Sequence, residues 1–293
     1  MMGPQASRDE YGRLLLQHGP IDLIVEMYGD GVEVEKAYGQ AQGFFQDVLD
    51  GLVGELAQLR RPVTAAYPMF QGKIAQRMAR AVWPLRHDYI TPMAAVAGAV
   101  ADEVLAAAVR DRDLEKGYIN NGGDIAVYLS PGSHLDAGVV ADLPHGALSG
   151  GLSGKVRLAH DMGIRGIATS GWQGRSHSLG IADAVTVLAA TAAQADAAAT
   201  MIANRVNIDD PCIDRAAANS LDPDCDLGDR AVTVAVGELS EGARRSALLS
   251  GLDHARGLLA GGIIHGAMLS LGDQVATTGV TTMDDLDSRE FLS

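Results

Sequence analysis

A mixed α+β fold built from two similar halves is what this sequence predicts, and three observations predict it. Period-two apolar runs, which suit half-buried strands, alternate along the chain with 3.6-period stripes, which suit amphipathic helices. Their order, β-β-α-α-α-β-β and then β-β-α and β-α, repeats a mixed pattern rather than a strict βαβ alternation. An Ala-rich helix carrying Ala-Asp also recurs beside a Gly-rich strand bend, as AVADEVLAAAV at 99–109 and AQADAAATMIA at 193–203. No linker or low-complexity segment separates the halves, so a single domain over 1–293 is expected.

RLLLQHGPIDLIVEMYG predicts two strands turning at His18-Gly19-Pro20. Residues 32–57 place Val34, Ala37, Tyr38, Ala41, Phe44, Phe45, Val48, Leu49 and Leu52 on one stripe, a single amphipathic helix. A second helix is expected over 73–83, stopped by Pro84, and a third over 93–109 after Thr91-Pro92. A strand pair surrounds Asn120-Asn121-Gly122-Gly123-Asp124, and the Gly-, Ser- and Pro-rich residues 130–150 read as loop. Strands follow near 155–160, 165–169 and 182–190, then a helix over 191–206 whose small Ala face permits close packing. Residues 207–229 read as loop with a short helix at 213–219, 231–239 as a strand, and 241–271 as mostly helical.

The balance of 23 Lys and Arg against 37 Asp and Glu, a formal net charge of −14, argues against a general nucleic-acid or anionic-membrane binder. The adjacent arginines Arg60-Arg61 and Arg244-Arg245 are too short to make a basic patch. Cys212 and Cys225 form no disulfide framework and read as two unpaired thiols of a reducing compartment. No signal-peptide pattern opens the sequence and no apolar run reaches membrane-spanning length, so a cytoplasmic protein is expected.

The sequence contains no P-loop, no GxGxxG opening a βα unit, no HExxH, no zinc-spaced Cys/His cluster and no GxSxG. Gly and polar groups do combine in four segments: TPMAAVAGAVAD, YINNGGDIAVYL, GIATSGWQGRSHSLG and AQADAAAT. The second reads either as a tight hairpin turn or as a strand whose bend forms the floor of a ligand site. Asp196 and Thr200, spaced i, i+4, emerge from one helix face. They read either as cap and packing residues or as oxygen ligands.

Together the four segments resemble the ApbE-like superfamily of FAD:protein FMN transferases. YINNGGDI is similar to its N-x-GGDI element, GIATSG with His177 to its STSG…H element, and VTVLAATAAQADAAAT to its VTV…AD-x-x-AT element. AVAGAVADEVL lies where the family carries G-x-x-AKG-x-x-x-D, ending on Asp102. Two departures stand out. Ala97 takes the place of the AKG lysine, and the DPxTG element after the His is missing, as in a shortened ApbE-like branch.

The resemblance implies a T-fold-related architecture of mixed sheets flanked by helices, with FAD held between the halves and Mg²⁺ at its pyrophosphate. By the same resemblance Asp196 and Thr200 are the metal ligands, joined by a backbone carbonyl near Ala95-Val96. Asn121 and Asp124 would meet the adenine or ribose end, with Gly122 and Gly123 allowing close approach; a strained turn is the alternative. Thr169, Ser170 and Gly171 would donate to phosphate, or simply turn the chain before Trp172. His177 would donate to phosphate or move a proton, or be a surface group. Met93 would lean on the isoalloxazine or pack in the core. Three functions compete: a Mg²⁺-dependent enzyme that either transfers FMN to a flavin-acceptor protein or hydrolyses the FAD pyrophosphate, a non-catalytic binder of a flavin or other small ligand, and an assembly factor for a redox enzyme.

Overall fold

The computed structural model describes residues 3–139, 154–279, 283–284 and 290–292. The chain divides into two compact units, each discontinuous in sequence. The first comprises Met1–Leu135, Leu158–Ala168 and Ala189–Ala197; the second comprises Asp136–Arg157, Thr169–Leu188 and Ala198–Ser293.

In the first unit β1 (Gln5–Arg8), β2 (Leu14–His18) and β3 (Ile21–Gly29) form an antiparallel meander. The β2–β3 turn is the expected Gly19-Pro20 pair, with Gly19 at φ +58°. Along β3 the side chains alternate, Leu23, Val25 and Met27 being buried while Ile24, Glu26 and Tyr28 are half-buried. Burying each of these three apolar side chains contributes about 1.5–3 kcal/mol.

The stripe over 32–57 becomes two helices, α1 (Gly31–Phe45) and α2 (Val48–Leu59). Asp47, at φ −106° and ψ 3°, takes a non-helical conformation between them. An apolar stripe reports which face is buried but not whether the backbone is continuous, and Asp competes poorly in helix interiors. Asp30 caps α1, its side chain accepting from Val32 N at 2.9 Å. Next come α3 (Lys73–Val82), a 3₁₀ turn (Pro92–Ala95) and α4 (Val96–Ala108), near the expected positions. α4 is buried almost throughout and packs on α1, α3, β4 (Leu114–Asn121) and β5 (Asp124–Leu129). β3 pairs with β4 and β4 with β5, all antiparallel.

Within 130–150, expected as loop, the structure has the strand β6 (His134–Val139); residues 140–150 lie outside the described ones. β7 (Gly154–Ala159), β8 (Gly166–Ser170), β9 (Ala184–Ala189) and α5 (Ala192–Arg205) follow as expected. The expected helix at 213–219 is instead the strand β10 (Ile213–Ala217) and a single turn, α6 (Ala218–Leu221). β10 pairs antiparallel with β11 (Ala231–Val236), a partner outside any local window. Helix α7 (Glu241–Ala260) ends at Gly261-Gly262, where Gly262 takes φ +68°, so the expected helix through 271 gives way to β12 (Gly266–Leu271). Gly just past the last turn supplies the left-handed residue that ends many helices.

β12 pairs with β9 and with β13 (Gln274–Gly279), and α7 packs on β12 and β13. Short pairings complete the second unit: β14 (Met283–Asp284) with β7, and β15 (Glu290–Leu292) parallel to β13. Each unit thus contains a helix followed by an antiparallel hairpin against which it packs, α4 with β4–β5 and α7 with β12–β13. The architecture is mixed α/β, with antiparallel sheets flanked by helices. Among the described residues no helix is long and apolar enough to cross a membrane. Cys212 and Cys225 are not joined to each other.

Candidate functional site

A helix begins with backbone N–H groups that have no partner within the helix. In the first unit, α4 and α5 supply partners to one another. Asp196 of α5 accepts from Gly98 N at 3.0 Å through Oδ2, and the Ala97 N–H is a second donor to its carboxylate. Asp102 of α4 accepts from Ala192 N through Oδ1 and Ala193 N through Oδ2, both at 3.0 Å. Thr191 adds its hydroxyl, which accepts from Gln194 N at 3.2 Å. Gly98 permits the approach. A Cβ there would run into the Ala192 carbonyl, and at 2.7 Å into Ala193 N.

Asn121, at the end of β4 and buried, donates from Nδ2 to the Ala97 carbonyl at 3.0 Å. The Ala97 backbone is therefore held on both sides, its N–H toward Asp196 and its C=O by Asn121. The NNGGD segment that positions Asn121 is a two-residue hairpin, Asn121 facing Asp124 across Gly122 at φ +66° and Gly123 at φ +111°. Positive φ at both central residues is the hairpin geometry that matches strand twist, and Gly adopts it without a Cβ clash. Asn120 Oδ1 closes the turn by accepting from Gly123 N at 2.8 Å.

The electrostatics follow from burial. Asp102 is raised above the usual carboxylate range by burial, while the Ala193 N–H and the Arg77 guanidinium hold it down. Arg77 Nη1 lies 3.6 Å from Asp102, and Arg77 Nη2 pairs with Glu103 at 2.6 Å. Burial pushes the Asp196 carboxyl up to about 7, the Gly98 and Ala97 N–H groups opposing and the charge of Asp102 reinforcing the rise. No cation among the described residues pairs with Asp196. Nor do three or more His, Cys, Asp or Glu converge into a metal-binding cluster among them.

Residues 5–277 match a family model described as "AbpE bacteria". The chain belongs to that family. It is the ApbE-like superfamily that the motifs resemble, and 40% identity over 154 residues relates the chain to a UPF0280 protein of Methanopyrus kandleri, covering 51% of this chain and 57% of that one. A UPF0280 protein of Methanothermobacter thermautotrophicus is 38% identical over 169 residues, 56% of this chain and 60% of that one. The chain spans less than two thirds of the length of these curated relatives. Among solved structures, the apo flavinyl transferase ApbE of Pseudomonas stutzeri resembles it at a TM-score of 0.36 and 14% identity, with 69% of this chain and 84% of that one covered.

Of the residues singled out in this ApbE-like sequence, Met93, Asn121, Gly122, Gly123, Asp124 and Asp196 belong to the first unit. Thr169, Ser170, Gly171, His177 and Thr200 belong to the second. Met93 lies half-buried in the 3₁₀ turn before α4, its N–H bonded to Thr91 Oγ1 at 3.2 Å. Thr169 Oγ1 lies 2.9 Å from Thr186 Oγ1, and Gly171 is packed against the Asp183 carbonyl.

His177 is half-buried in a loop pinned from below. Asn204 Oδ1 accepts from Leu179 N at 2.9 Å, and Arg215 Nη1 donates to Leu179 O at 2.8 Å. Thr233 Oγ1 donates to Gly180 O at 2.8 Å. Asp183 holds the other end of the loop, accepting from Trp172 Nε1 at 3.2 Å and Gly272 N at 2.6 Å. Sequence reasoning passed over Asn204, Arg215 and Thr233 because each lies 25 or more residues from its partner. The T-x-x-Q spacing of Thr191 and Gln194 was a capping signal that could have marked the start of α5.

Proposed function

We propose that the chain binds a flavin nucleotide, and that Asp196 and Thr200, one turn apart on α5, hold Mg²⁺ at the pyrophosphate of FAD. The observation that carries this reading is the Asp196 carboxylate, raised by burial and by Asp102 with no cation among the described residues to offset it. A hard divalent cation takes oxygen ligands. A carboxylate has about four lone-pair sites, so two N–H donors leave room for a metal. The bound ion would neutralise charge on the phosphate oxygens. Asn121 would meet the nucleotide through its oxygen, since its amide donates to Ala97. Asp124, Thr169, Ser170, Gly171, His177 and Met93 keep the roles their motifs suggest. With Ala97 at the lysine position and no DPxTG element, transfer of FMN to an acceptor protein is expected to be weak or lost.

A second reading has its own support: the Gly98 bond alone gives Asp196 a structural task as a helix cap. Asp196→Asn separates the two, because Asn caps as well as Asp but carries no charge. Mg²⁺ with FAD should raise the melting temperature of the wild type, since only a ligand of the native state stabilises it. Asp196→Asn should melt close to the ligand-free wild type and gain nothing from Mg²⁺ and FAD. A variant that responds like the wild type would leave Asp196 a cap only, and an unresponsive wild type would sink the flavin reading. In-gel flavin fluorescence of a model acceptor tests transfer; robust Mg²⁺-dependent labelling would show that the two sequence departures do not matter.

A further inference from the structure

Helix α2 carries two glycines that its own packing does not explain. Gly51 and Gly54 lie in the helix interior, both exposed, and a Cβ added to either would meet no atom within 4 Å among the described residues. Glycine is the poorest helix former after proline, so an exposed helix position gains nothing from it unless another backbone comes close. With the exposed Ala57 they make the middle of this face small, flat and uncharged, and Val53 beside them is 51% exposed. Glu55 adds no free charge there, because its carboxylate accepts from Gln71 N and Gly72 N, both at 2.8 Å.

A hole and a knob lie along one side of α2. The hole is a cavity of about 240 Å³ lined by Phe44, Val48, Leu52 and Ile74 together with Asp47 and Glu55. The knob is Met69, 75% exposed. Its loop runs along the cavity side of the helix, with Gln58 Nε2 donating to the Met69 carbonyl at 2.9 Å and the Gly72 N–H donating to Glu55. Gly72 and Glu55 both belong to the cavity wall.

We propose that α2 is the contact face of a homodimer, packed antiparallel on α2 of a second copy across a two-fold axis at Gly54. Such an axis, lying in the contact plane, reverses the partner's direction and preserves its sides. Gln58 is four residues past Gly54, and Asp50 four residues before it. Met69, beside Gln58, therefore arrives over the cavity of the partner subunit, an irregular gap of the kind a flexible thioether fills well. Gly51 meets Ala57 of the partner subunit, which lets the helix axes approach to about 8 Å, the close end of helix packing. Asp47 meets Arg61 of the partner subunit; both are exposed, and neither forms an ion pair among the described residues. Acids near a helix start and bases near its end also suit the macrodipole, so the charges alone choose no partner. The open glycines, the hole and the knob choose it, because an isologous contact needs a surface that complements itself. The proposal does not rest on flavin binding.

Sedimentation equilibrium of the full chain between about 1 µM and 1 mM, the range of transient interfaces, should show monomer and dimer in exchange. Gly54→Arg should weaken the dimer about tenfold or more. Its monomer should melt no lower than the wild type in dilute solution, since Arg is the better helix former at an exposed position. Met69→Asp should also weaken the dimer. Asp47→Arg and Arg61→Asp should each do the same by setting like charges face to face. An equimolar mixture of these two variants should dimerise again, because opposite charges then meet in both contacts. The exposed Arg245→Glu on α7 should change nothing. A wild type that stays monomeric throughout, a dimer indifferent to Gly54→Arg or Met69→Asp, or a mixture no stronger than its components would overturn the proposal.

Discussion

Asp102 and Asp196 each cap the helix that carries the other. Asp102, midway along α4, accepts from the Ala192 and Ala193 N–H groups that open α5, and Asp196, one turn into α5, accepts from the Gly98 N–H that opens α4. The two helices are thereby coupled through two carboxylates, and the loss of either exposes a cost on the opposite helix. Asp102 is the more buried and satisfies two N–H groups at once. Asp102→Ala should therefore cost about 2–3 kcal/mol, the upper part of the range of about 1–3 kcal/mol for buried donors left unsatisfied. Thermal melting checks this as a drop of about 4–6 °C; a change within error would mean that water replaces the carboxylate without loss.

The raised carboxyl of Asp196 sets the sign of a pH effect. Its folded-state value, about 7, lies above that of the unfolded chain, so folding favours the neutral form. Its contribution is therefore complete below pH ~4 and is lost as pH rises through the folded value. In chelator, wild-type stability relative to Asp196→Asn should fall between pH ~4 and pH ~8, because the amide cannot titrate. Denaturant midpoints measure the difference at each pH. A flat difference, or one that rises with pH, would contradict the assigned sign.

Local chemistry made the NNGGD hairpin and the Ala-rich helices legible, because Gly-Gly between alternating strands and an i, i+4 stripe are properties of neighbouring residues. Where the deciding partner lay far along the chain, the reading failed. Ile213–Ala217 is a strand because β11 pairs with it, and nothing within those five residues says so. The break at Asp47 left the apolar stripe intact, while Gly261-Gly262 was a stop signal passed over inside a longer helical pattern. At the candidate site, the spacing of Asp196 and Thr200 could be read directly. That Asp196 would bond a residue 98 positions away could not, nor could the engagement of Asp102 some 90 positions away.

His177 and the residues beneath it should separate cleanly by stability. Arg215 makes three contacts, to Leu179 O at 2.8 Å, Thr233 Oγ1 at 3.2 Å and Asn207 Oδ1 at 2.6 Å. Its removal strands acceptors in a partly buried network, so Arg215→Ala should cost about 1–3 kcal/mol. The His177 ring makes no hydrogen bond among the described residues, so His177→Ala should stay within ~0.5 kcal/mol of wild type. Urea unfolding of both variants tests the pair. A large loss for His177→Ala would make the His structural and remove it from the ligand-contacting set.

Gly98 offers a test of the packing that brings the two capped helices together. Alanine is the better helix former by about 1 kcal/mol, so propensity alone predicts that Gly98→Ala stabilises the protein. Packing predicts the opposite. The added methyl would meet the Ala192 carbonyl and Ala193 N, which are backbone atoms at the start of a helix and cannot swing aside as a long side chain would. Either α5 shifts, lengthening the Asp102 and Asp196 contacts, or the methyl is accommodated under strain, and overpacking of this kind costs about 1–3 kcal/mol. Gly43 in α1 is the control, since a Cβ there has nothing within 4 Å and the position is exposed. Gly43→Ala should raise stability by up to ~1 kcal/mol, while Gly98→Ala lowers it and weakens any response to Mg²⁺ through the displaced Asp196 carboxylate. If both substitutions stabilise equally, the close approach at Gly98 is not a constraint on this fold.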